Sequence, residues 1–301
     1  MTQCPILSQL IVALPALKDF HAPTCEPYNL LRMIARKEVE AAFSSEKPEP
    51  CAIAPFGELI FPYTKMGAID SLDLFGIDEL VIFAFYWANS GRYKKTLDMG
   101  ANIGLHSIMM SRCNFQITCF EPDPHHFSLL TRNLSENKAD SVTAVNTAVS
   151  VQEGTMEFVR VLGNTTGSHL AGSKSNLYGE VERFPVKVLP FAELIKGVDF
   201  VKLDVEGHEK IILTSTTAEQ WQTLDMMAEI GSEDNARAIF DHFAAIGVNM
   251  FAQKISWGKV ERLEDMPTSY HDGSLFISSR PEMPWGDAQQ ISEQYRLGMM
   301  A

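Results

Sequence analysis

The sequence predicts an α/β fold with a mainly parallel sheet and helices on both of its faces. From residue 95 onward, short apolar segments of strand length alternate with longer segments whose apolar residues recur at helical spacing. A glycine-containing turn joins the first strand of this alternation to its first helix. We therefore expect a domain over residues 78–280, an N-terminal extension over residues 1–77 and a C-terminal tail over residues 281–301.

The extension carries no recognisable motif, but two of its segments predict structure. Residues 5–17 are apolar enough to resemble a signal-peptide core, yet no Lys or Arg precedes them, and Lys18 and Asp19 follow without a small-residue cleavage site. We therefore expect a helix packed on the domain. Residues 52–54 and 58–61 flank a Pro-Phe-Gly turn and predict a small hairpin that could cover a substrate.

The elements of the main domain are predicted in order along the chain. The first strand covers residues 95–99, and a helix follows over residues 105–112. The later strands of the main sheet are predicted at residues 115–120, 142–149, 198–203, 226–230, 248–251 and 274–278. Residues 155–161 and 184–189 also read as strands and depart from strict alternation. The polar loop between them, residues 163–179, could be a substrate-recognition loop or a plain surface excursion.

The turn after the first strand is the most informative part of the chain. Gly100 and Gly104 allow the backbone to bend sharply and to approach a ligand closely, and Asn102 tolerates left-handed backbone angles. The spacing is not the dinucleotide fingerprint G-x-G-x-x-G. We therefore expect a nucleoside cofactor that does not rest a pyrophosphate on this turn.

Two acidic residues specify the cofactor further. Asp98 opens the turn, where a carboxylate would repel phosphates but suits a cationic amino-acid group. Glu121 ends the next strand, where a carboxylate can accept hydrogen bonds from both ribose hydroxyls. S-adenosylmethionine combines these two features, and the sequence predicts it as the cofactor.

Four motifs occur in the same order as in a known family. They are DMGANIG (98–104), CFEPDP (119–124), NTAVS (146–150) and KLDVEGHE (202–209). Together they resemble the FkbM family of S-adenosylmethionine-dependent O-methyltransferases. The resemblance implies a class I methyltransferase fold, a Rossmann-like sheet of seven mostly parallel strands with an antiparallel seventh strand. It also implies methyl transfer to a hydroxyl of a small metabolite or glycan.

The resemblance assigns cofactor-binding roles to matching positions. Asp98 and Gly100 are expected at the methionine moiety, with Asn102 and Gly104 completing the turn. Glu121 is expected at the ribose. The adenine is expected beside Thr147 and Ala148.

The last motif supplies the candidate catalytic residues. Lys202 is costly to bury unless it is paired, and we expect it to pair with Glu229 or with an acid of its own motif. An alcohol needs a base or a cation to lose its proton, and Asp204, Glu206 or His208 could be that base. Alternatively, Asp204 and Glu229 could hold Mg²⁺. We favour the base, because the acids do not have the spacing of a recognised metal loop.

Composition excludes several other functions. The chain has 38 acidic and 25 basic residues and no basic run, so nucleic acid is a poor partner. No apolar stretch of about 18 residues predicts a membrane span. Its five cysteines are odd in number and scattered without C-x-x-C spacing, so neither a zinc site nor a disulfide framework is expected, and a reducing compartment fits best. These features predict a cytoplasmic location.

Two competing functions remain open. A nicotinamide-linked dehydrogenase is disfavoured by the glycine spacing and by the absence of a Tyr-x-x-x-Lys pair near the fourth strand. A catalytically silent cofactor-binding or scaffold protein would carry a damaged turn or lack Asp204. Both features are intact in this chain, so we expect an active enzyme.

Overall fold

The computed structural model describes residues 2–174 and 179–286. Part of the predicted 163–179 loop, residues 175–178, lies outside the described residues. Met1 and residues 287–301, which make up most of the predicted tail, also lie outside them. Within the described ranges, no helix is both long and apolar enough to cross a membrane.

The described chain alternates strands and helices as follows. The strands are β1 Thr2–Gln3, β2 Cys51–Ile53, β3 Gly57–Leu59, β4 Lys95–Met99, β5 Gln116–Phe120, β6 Val142–Val145, β7 Ala148–Ser150, β8 Gly154–Val161, β9 His169–Leu170, β10 Val181–Pro190, β11 Phe200–Leu203, β12 Asp225–Glu229, β13 Asn249–Ala252, β14 Gly258–Lys259 and β15 Ser274–Ser278. The α-helices are α1 Pro5–Ala13, α2 Glu26–Phe43, α3 Ile77–Ala88, α4 Leu105–Arg112, α5 Pro124–Glu136, α6 Phe191–Leu194, α7 Glu209–Leu213 and α8 Glu233–Ile246.

The main sheet has the order β14-β13-β15-β12-β11-β4-β5-β6. Strands β4, β5, β6, β11 and β12 pair in parallel, whereas β15 runs antiparallel to both β12 and β13. This arrangement confirms the predicted class I methyltransferase fold, including its antiparallel seventh strand. The short β14 adds an eighth strand that was not predicted, pairing antiparallel with β13.

The predicted third strand over residues 142–149 is wrong in its second half. Strand β6 ends at Val145, and the Thr147 N–H donates to the Val145 carbonyl at 3.0 Å, which turns the chain. Strand β7 then leaves the main sheet and pairs in parallel with β10. A run of β-forming residues does not reveal that the chain leaves one sheet for another within the run, because the turn between the two strands is made by a backbone hydrogen bond.

A second sheet with the order β7-β10-β8-β9 stands beside the main one. Its longest pairing joins β8 and β10 antiparallel. Both strands contain the segments that were predicted as strands from their alternating residues. The short β9 is formed by residues of the predicted loop and pairs antiparallel with β8.

The N-terminal extension contains the predicted helix α1 and the predicted hairpin of β2 and β3. Strand β1 joins that hairpin in parallel with β2 and brings Cys4 to Cys51, with which it forms a disulfide. The expectation of no disulfide is therefore wrong, and the argument for a reducing compartment loses its basis. The two cysteines are 47 residues apart, so only the fold of the extension reveals the pairing.

The extension and the main domain share one hydrophobic core. Side chains of α1 and α2 pack with α3, α4 and residues of β5, β11, β12, β13 and β15 in a single cluster. The Asn137 amide bonds both the N–H and the carbonyl of Ile60, at 2.9 and 2.7 Å, and so docks the end of the hairpin on α5. Residues 66–68 exchange backbone hydrogen bonds with residues 163–165. The extension therefore contacts the segment between β8 and β9 of the second sheet.

Candidate active site

A cavity of about 500 Å³ lies at the carboxyl ends of the central strands. Strand order reverses there between β4 and β11, which is where open α/β sheets bind ligands. The extension and α3 line one wall, the strand ends form the floor, and residues 165–170 line another wall. Among the described residues, the lining includes eight acids: Asp73, Asp78, Glu79, Glu121, Asp123, Asp204, Glu206 and Glu229.

The turn after β4 adopts the left-handed backbone angles that its sequence predicted. The φ angles of Gly100, Asn102 and Gly104 are 82°, 51° and 92°. The N–H groups of Gly100 and Ala101 both donate to the Phe120 carbonyl at 3.0 Å, which ties the turn to the end of β5. Gly100 and Asn102 line the cavity, whereas Gly104 is not part of the lining and instead faces Leu130.

Glu121 lines the cavity at the end of β5 and supports the turn as well. Its carboxylate accepts the backbone N–H groups of Asn102 and Asp123, each at 2.8 Å. Burial raises the pKa of Glu121 to about 8, a rise that these two hydrogen bonds only partly offset. A ligand hydroxyl that donates to this carboxylate would favour its ionised form.

Three predicted cofactor-binding residues carry buried polar atoms without a partner among the described residues. These atoms are Asp98 Oδ1, Asn102 Oδ1 and Thr147 Oγ1. Asn102, Thr147 and the neighbouring Ala148 line the cavity, whereas the fully buried Asp98 does not, and its other oxygen accepts from Ser107 Oγ at 2.6 Å. Buried polar groups usually have partners, so atoms of this kind fit a polar ligand that supplies them.

Lys202 and Asp204 form the ion pair that the sequence predicted within the last motif. Lys202 Nζ lies 3.1 Å from Asp204 Oδ2, and the lysine side chain is 9% exposed. Burial alone would lower the pKa of Lys202, but the carboxylates of Asp204, Asp98 and Glu79 raise it, so the ammonium stays charged. Asp204 is thereby held at the cavity floor with its side chain 26% exposed.

Glu206 and Glu229 line the cavity beside Asp204. Glu206 has a φ of 55°, a strained angle for this residue type, and its carboxylate lies 2.5 Å from Lys174 Nζ. Burial and then the charge of Asp204 raise the pKa of Glu206 to about 7. The same two causes raise the pKa of Glu229 well above its usual range. Glu206 and Glu229 therefore hold their protons more tightly than ordinary glutamates do, and both lie beside Asp204.

His208 is not part of the cavity lining. Its Nε2 is 2.8 Å from Ser150 Oγ and its Nδ1 is 2.9 Å from Ser173 Oγ, so both ring nitrogens are engaged. Burial lowers the pKa of His208 to about 4, which keeps the ring neutral at pH 7. Its contacts connect the last motif to the second sheet.

A hydrogen-bonded chain that sequence reasoning missed ends in the cavity wall. Glu79 Oε2 lies 2.9 Å from His106 Nε2, and His106 Nδ1 lies 2.9 Å from the Tyr86 hydroxyl. Burial alone would raise the pKa of Glu79, but His106 and Lys202 together lower it. In the sequence, Glu79 is an acid at the start of an apolar helix. Acids are common at that position because they complement the helix dipole, so the position did not indicate a functional role.

A second contact brings the extension to the same wall. Tyr28 of α2 donates a hydrogen bond to Asp78, and Gln253 Nε2 donates to both of them. Asp78 lines the cavity. No group of three or more His, Cys, Asp or Glu arranged to hold a metal ion occurs in the described part of the chain.

Comparison with known proteins shows which family the main domain is similar to. Residues 98–245 match the family model described as the methyltransferase FkbM domain. Methyltransferase sdnD of Sordaria araneosa is 32% identical over 161 residues, which cover 42% of this chain and 61% of that protein. Hexuronic acid methyltransferase AglP of Haloferax volcanii is 28% identical over 125 residues, covering 40% of this chain and 48% of that protein.

The chain thus spans less than two thirds of the length of these curated relatives. The solved structure of a SAM-dependent methyltransferase from Agrobacterium tumefaciens shares 8% identity and a TM-score of 0.40, covering 78% of this chain and 71% of that one. A TM-score this low adds nothing to the strand order given above. Residues 98–245 of this chain are thus similar to the methyltransferase FkbM domain, and all four motifs of the sequence lie within this range.

Proposed function

We propose that this protein is an S-adenosylmethionine-dependent O-methyltransferase that acts on a hydroxyl of a small metabolite or glycan. The observation that most strongly supports this proposal is that the glycine turn, Glu121 and the acids of the last motif line one cavity. This cavity lies where the strand order of the sheet reverses. The match of residues 98–245 to the methyltransferase FkbM domain supports the same reaction class.

The cofactor half of the cavity fits the expected cofactor. Glu121 offers its carboxylate to the ribose hydroxyls, and charge-assisted hydrogen bonds of this kind are among the stronger ones. The unpartnered oxygens of Asn102 and Thr147 belong to residues that line the same half. We assign the adenine to the side of Thr147 and Ala148, and the methionine moiety to the turn at Gly100.

The acidic floor fits the acceptor half. S-adenosylmethionine, when bound, supplies an electrophilic methyl group for in-line displacement. Asp204 is our first candidate for receiving the acceptor's hydroxyl proton, because Lys202 fixes its carboxylate at the floor. Glu206 is the second candidate, since a pKa of about 7 suits a base that works near neutral pH. His208 is not used, because both of its ring nitrogens are already bonded.

The proposal is tested first by binding and then by turnover. Calorimetric titration should show binding of S-adenosylmethionine and of S-adenosylhomocysteine, with little affinity for NAD. Labelled methyl donor should then transfer its label to members of a panel of glycans and polyketides. Binding of NAD in preference to S-adenosylmethionine would instead support a dehydrogenase.

A further inference from the structure

The acceptor half of the cavity presents carboxylates and no balancing cation of its own. Its acids come from the extension, from α3 and from the ends of β11 and β12. No lysine or arginine is among the described residues that line the cavity. The acids of this half are Asp73, Asp78, Glu79, Asp204, Glu206 and Glu229.

The cations that pair with these acids stand outside the lining. Arg36 lies 2.9 Å from one oxygen of Asp73, and Lys202 lies 3.1 Å from one oxygen of Asp204. Neither cation lines the cavity. The cations therefore contact these carboxylates from outside the cavity, and a ligand inside it meets carboxyl oxygen atoms rather than cations.

Glu229 differs from the other acids of this half. Its side chain makes no hydrogen bond or ion pair with another residue of the described chain, whereas one oxygen of Glu206 is paired with Lys174, also outside the lining. Glu229 stands at the end of β12, next to the strand that leads to Asp204 and Glu206. A carboxyl group in this position has both oxygens available to a ligand.

An independent observation indicates that the cavity is a ligand site. Thr147, in the cofactor half of the floor, is 7% exposed, and its hydroxyl has no partner among the described residues although the residue lines the cavity. A buried hydroxyl without a partner costs free energy unless a ligand satisfies it. The carboxylates thus line a cavity that also contains an unpartnered polar group, as a ligand site would.

We propose that the methyl acceptor carries a protonated amine beside its hydroxyl group, and that Glu229 and Glu206 bind this ammonium group. The inference rests on the proposed function and specifies its acceptor. An acceptor with a carboxylate is disfavoured, because it would meet carboxylates with no cation in the described lining. This sets the chain apart from the hexuronic acid methyltransferase to which it is similar.

Three matched probes test the charge of the acceptor: 6-amino-6-deoxyglucose, glucose and glucuronate, which differ only at carbon 6. Each is titrated by calorimetry into the protein saturated with S-adenosylhomocysteine. We expect the amine to bind about tenfold more tightly than glucose, and glucuronate to bind more weakly than both. The amine should also release protons on binding near pH 7, because it favours the ionised forms of Glu206 and Glu229, whose pKa values are raised in the free protein, that of Glu206 to about 7.

Variants test whether an acid of the cavity floor causes the preference for the amine. Glu229→Gln should remove most of the preference for the amine and its proton release, while the surface control Glu193→Gln, whose side chain is 63% exposed, should leave both unchanged. Equal or weaker binding of the amine relative to glucuronate would overturn the proposal, as would no detectable binding of the amine. Failure of S-adenosylhomocysteine to bind at the outset would count against the proposed function instead.

Discussion

Gly100 packs directly against the backbone of Asp204: a Cβ atom built on Gly100 would lie 1.7 Å from the Asp204 carbonyl oxygen. The turn of the first motif and the end of the last motif therefore touch through their main chains. The sequence predicted that Gly100 was required by the cofactor. The structure shows that it is required by the fold itself, whatever ligand lies beyond it.

We predict that Gly100→Ala destabilises the protein as well as weakening its binding of the cofactor. The added methyl group must displace the Asp204 backbone, and disruption of this kind falls in the severe range of about 4 kcal/mol or more. Gly172→Ala is the matched control, because Gly172 has a similar φ of 89° but nothing within 4 Å of the position that a Cβ atom would take. Thermal unfolding should show a much larger drop in Tm at position 100. Equal drops would mean that only the backbone angle matters.

Glu121→Ala should weaken binding of S-adenosylhomocysteine at least tenfold, about 1.4 kcal/mol or more, through loss of the ribose hydrogen bonds. In the unaltered protein the affinity should rise as pH increases through about 8, because the hydroxyls prefer the ionised carboxylate. S-adenosylhomocysteine has a neutral sulfur atom, so its measured affinity does not include the effect of the sulfonium charge of S-adenosylmethionine. If Glu121→Ala kept the same pH dependence, another group would be responsible.

Asp204→Asn should lower kcat by about 10² to 10⁴ while leaving the affinity for S-adenosylmethionine within a few-fold. The amide keeps the size of the side chain but removes the charge that faces the acceptor. It also leaves the buried Lys202 with a weaker partner, so Tm should be measured in parallel. Loss of activity in chelator that Mg²⁺ restores would favour the metal alternative. Normal turnover in Asp204→Asn would transfer the base role to Glu206.

We predict that Tyr86→Phe changes binding of the acceptor in addition to lowering the stability of the fold. The change removes the hydroxyl partner of His106, which in turn orients Glu79. Tyr93→Phe is the matched control, because it removes another buried hydroxyl, 2.9 Å from Asp225 and away from the cavity. Each should cost about 1 to 3 kcal/mol of stability. Only Tyr86→Phe should also change the KM for the acceptor.

The free energy of unfolding should fall as pH rises from about 4.5 to about 8, which is the range between the unfolded and the folded pKa values of three buried glutamates. Glu206, Glu209 and Glu121 have pKa values raised to about 7, 7 and 8, above their value of 4.5 in the unfolded chain. The folded state therefore holds more protons, and the stability these groups contribute is lost as pH rises through their folded pKa values. Glu121→Gln should flatten this fall, as measured by urea unfolding at several pH values. An identical slope in the variant would exclude Glu121 from the effect.

The main sheet was predictable because its signals are local. Buried parallel strands appear as apolar runs, and the turn after β4 carries the residues that its backbone angles require. Likewise, Lys202 could be assigned an acidic partner, because a buried ammonium needs one. These inferences needed only neighbours in sequence or a general energetic cost.

The cavity wall was not predictable for the opposite reason. Glu79 reaches the site only because α3 lies over the sheet, and the Cys4–Cys51 bond forms only because β1 pairs with β2. His208 was a candidate base by its place in the motif, yet two serines distant in sequence occupy its nitrogens. Contacts over such sequence separations have no local pattern from which they could be inferred.

Strand β15, the last of the main sheet in sequence, lies between β12 and β13. On the ribosome, the edge of β12 must therefore remain unpaired until residues 274–278 have emerged. Exposed strand edges invite association with other chains, so nascent protein is most vulnerable in this interval. A chain that terminates before Ser274 would keep that edge permanently open, and its characteristic failure would be aggregation rather than loss of a catalytic group.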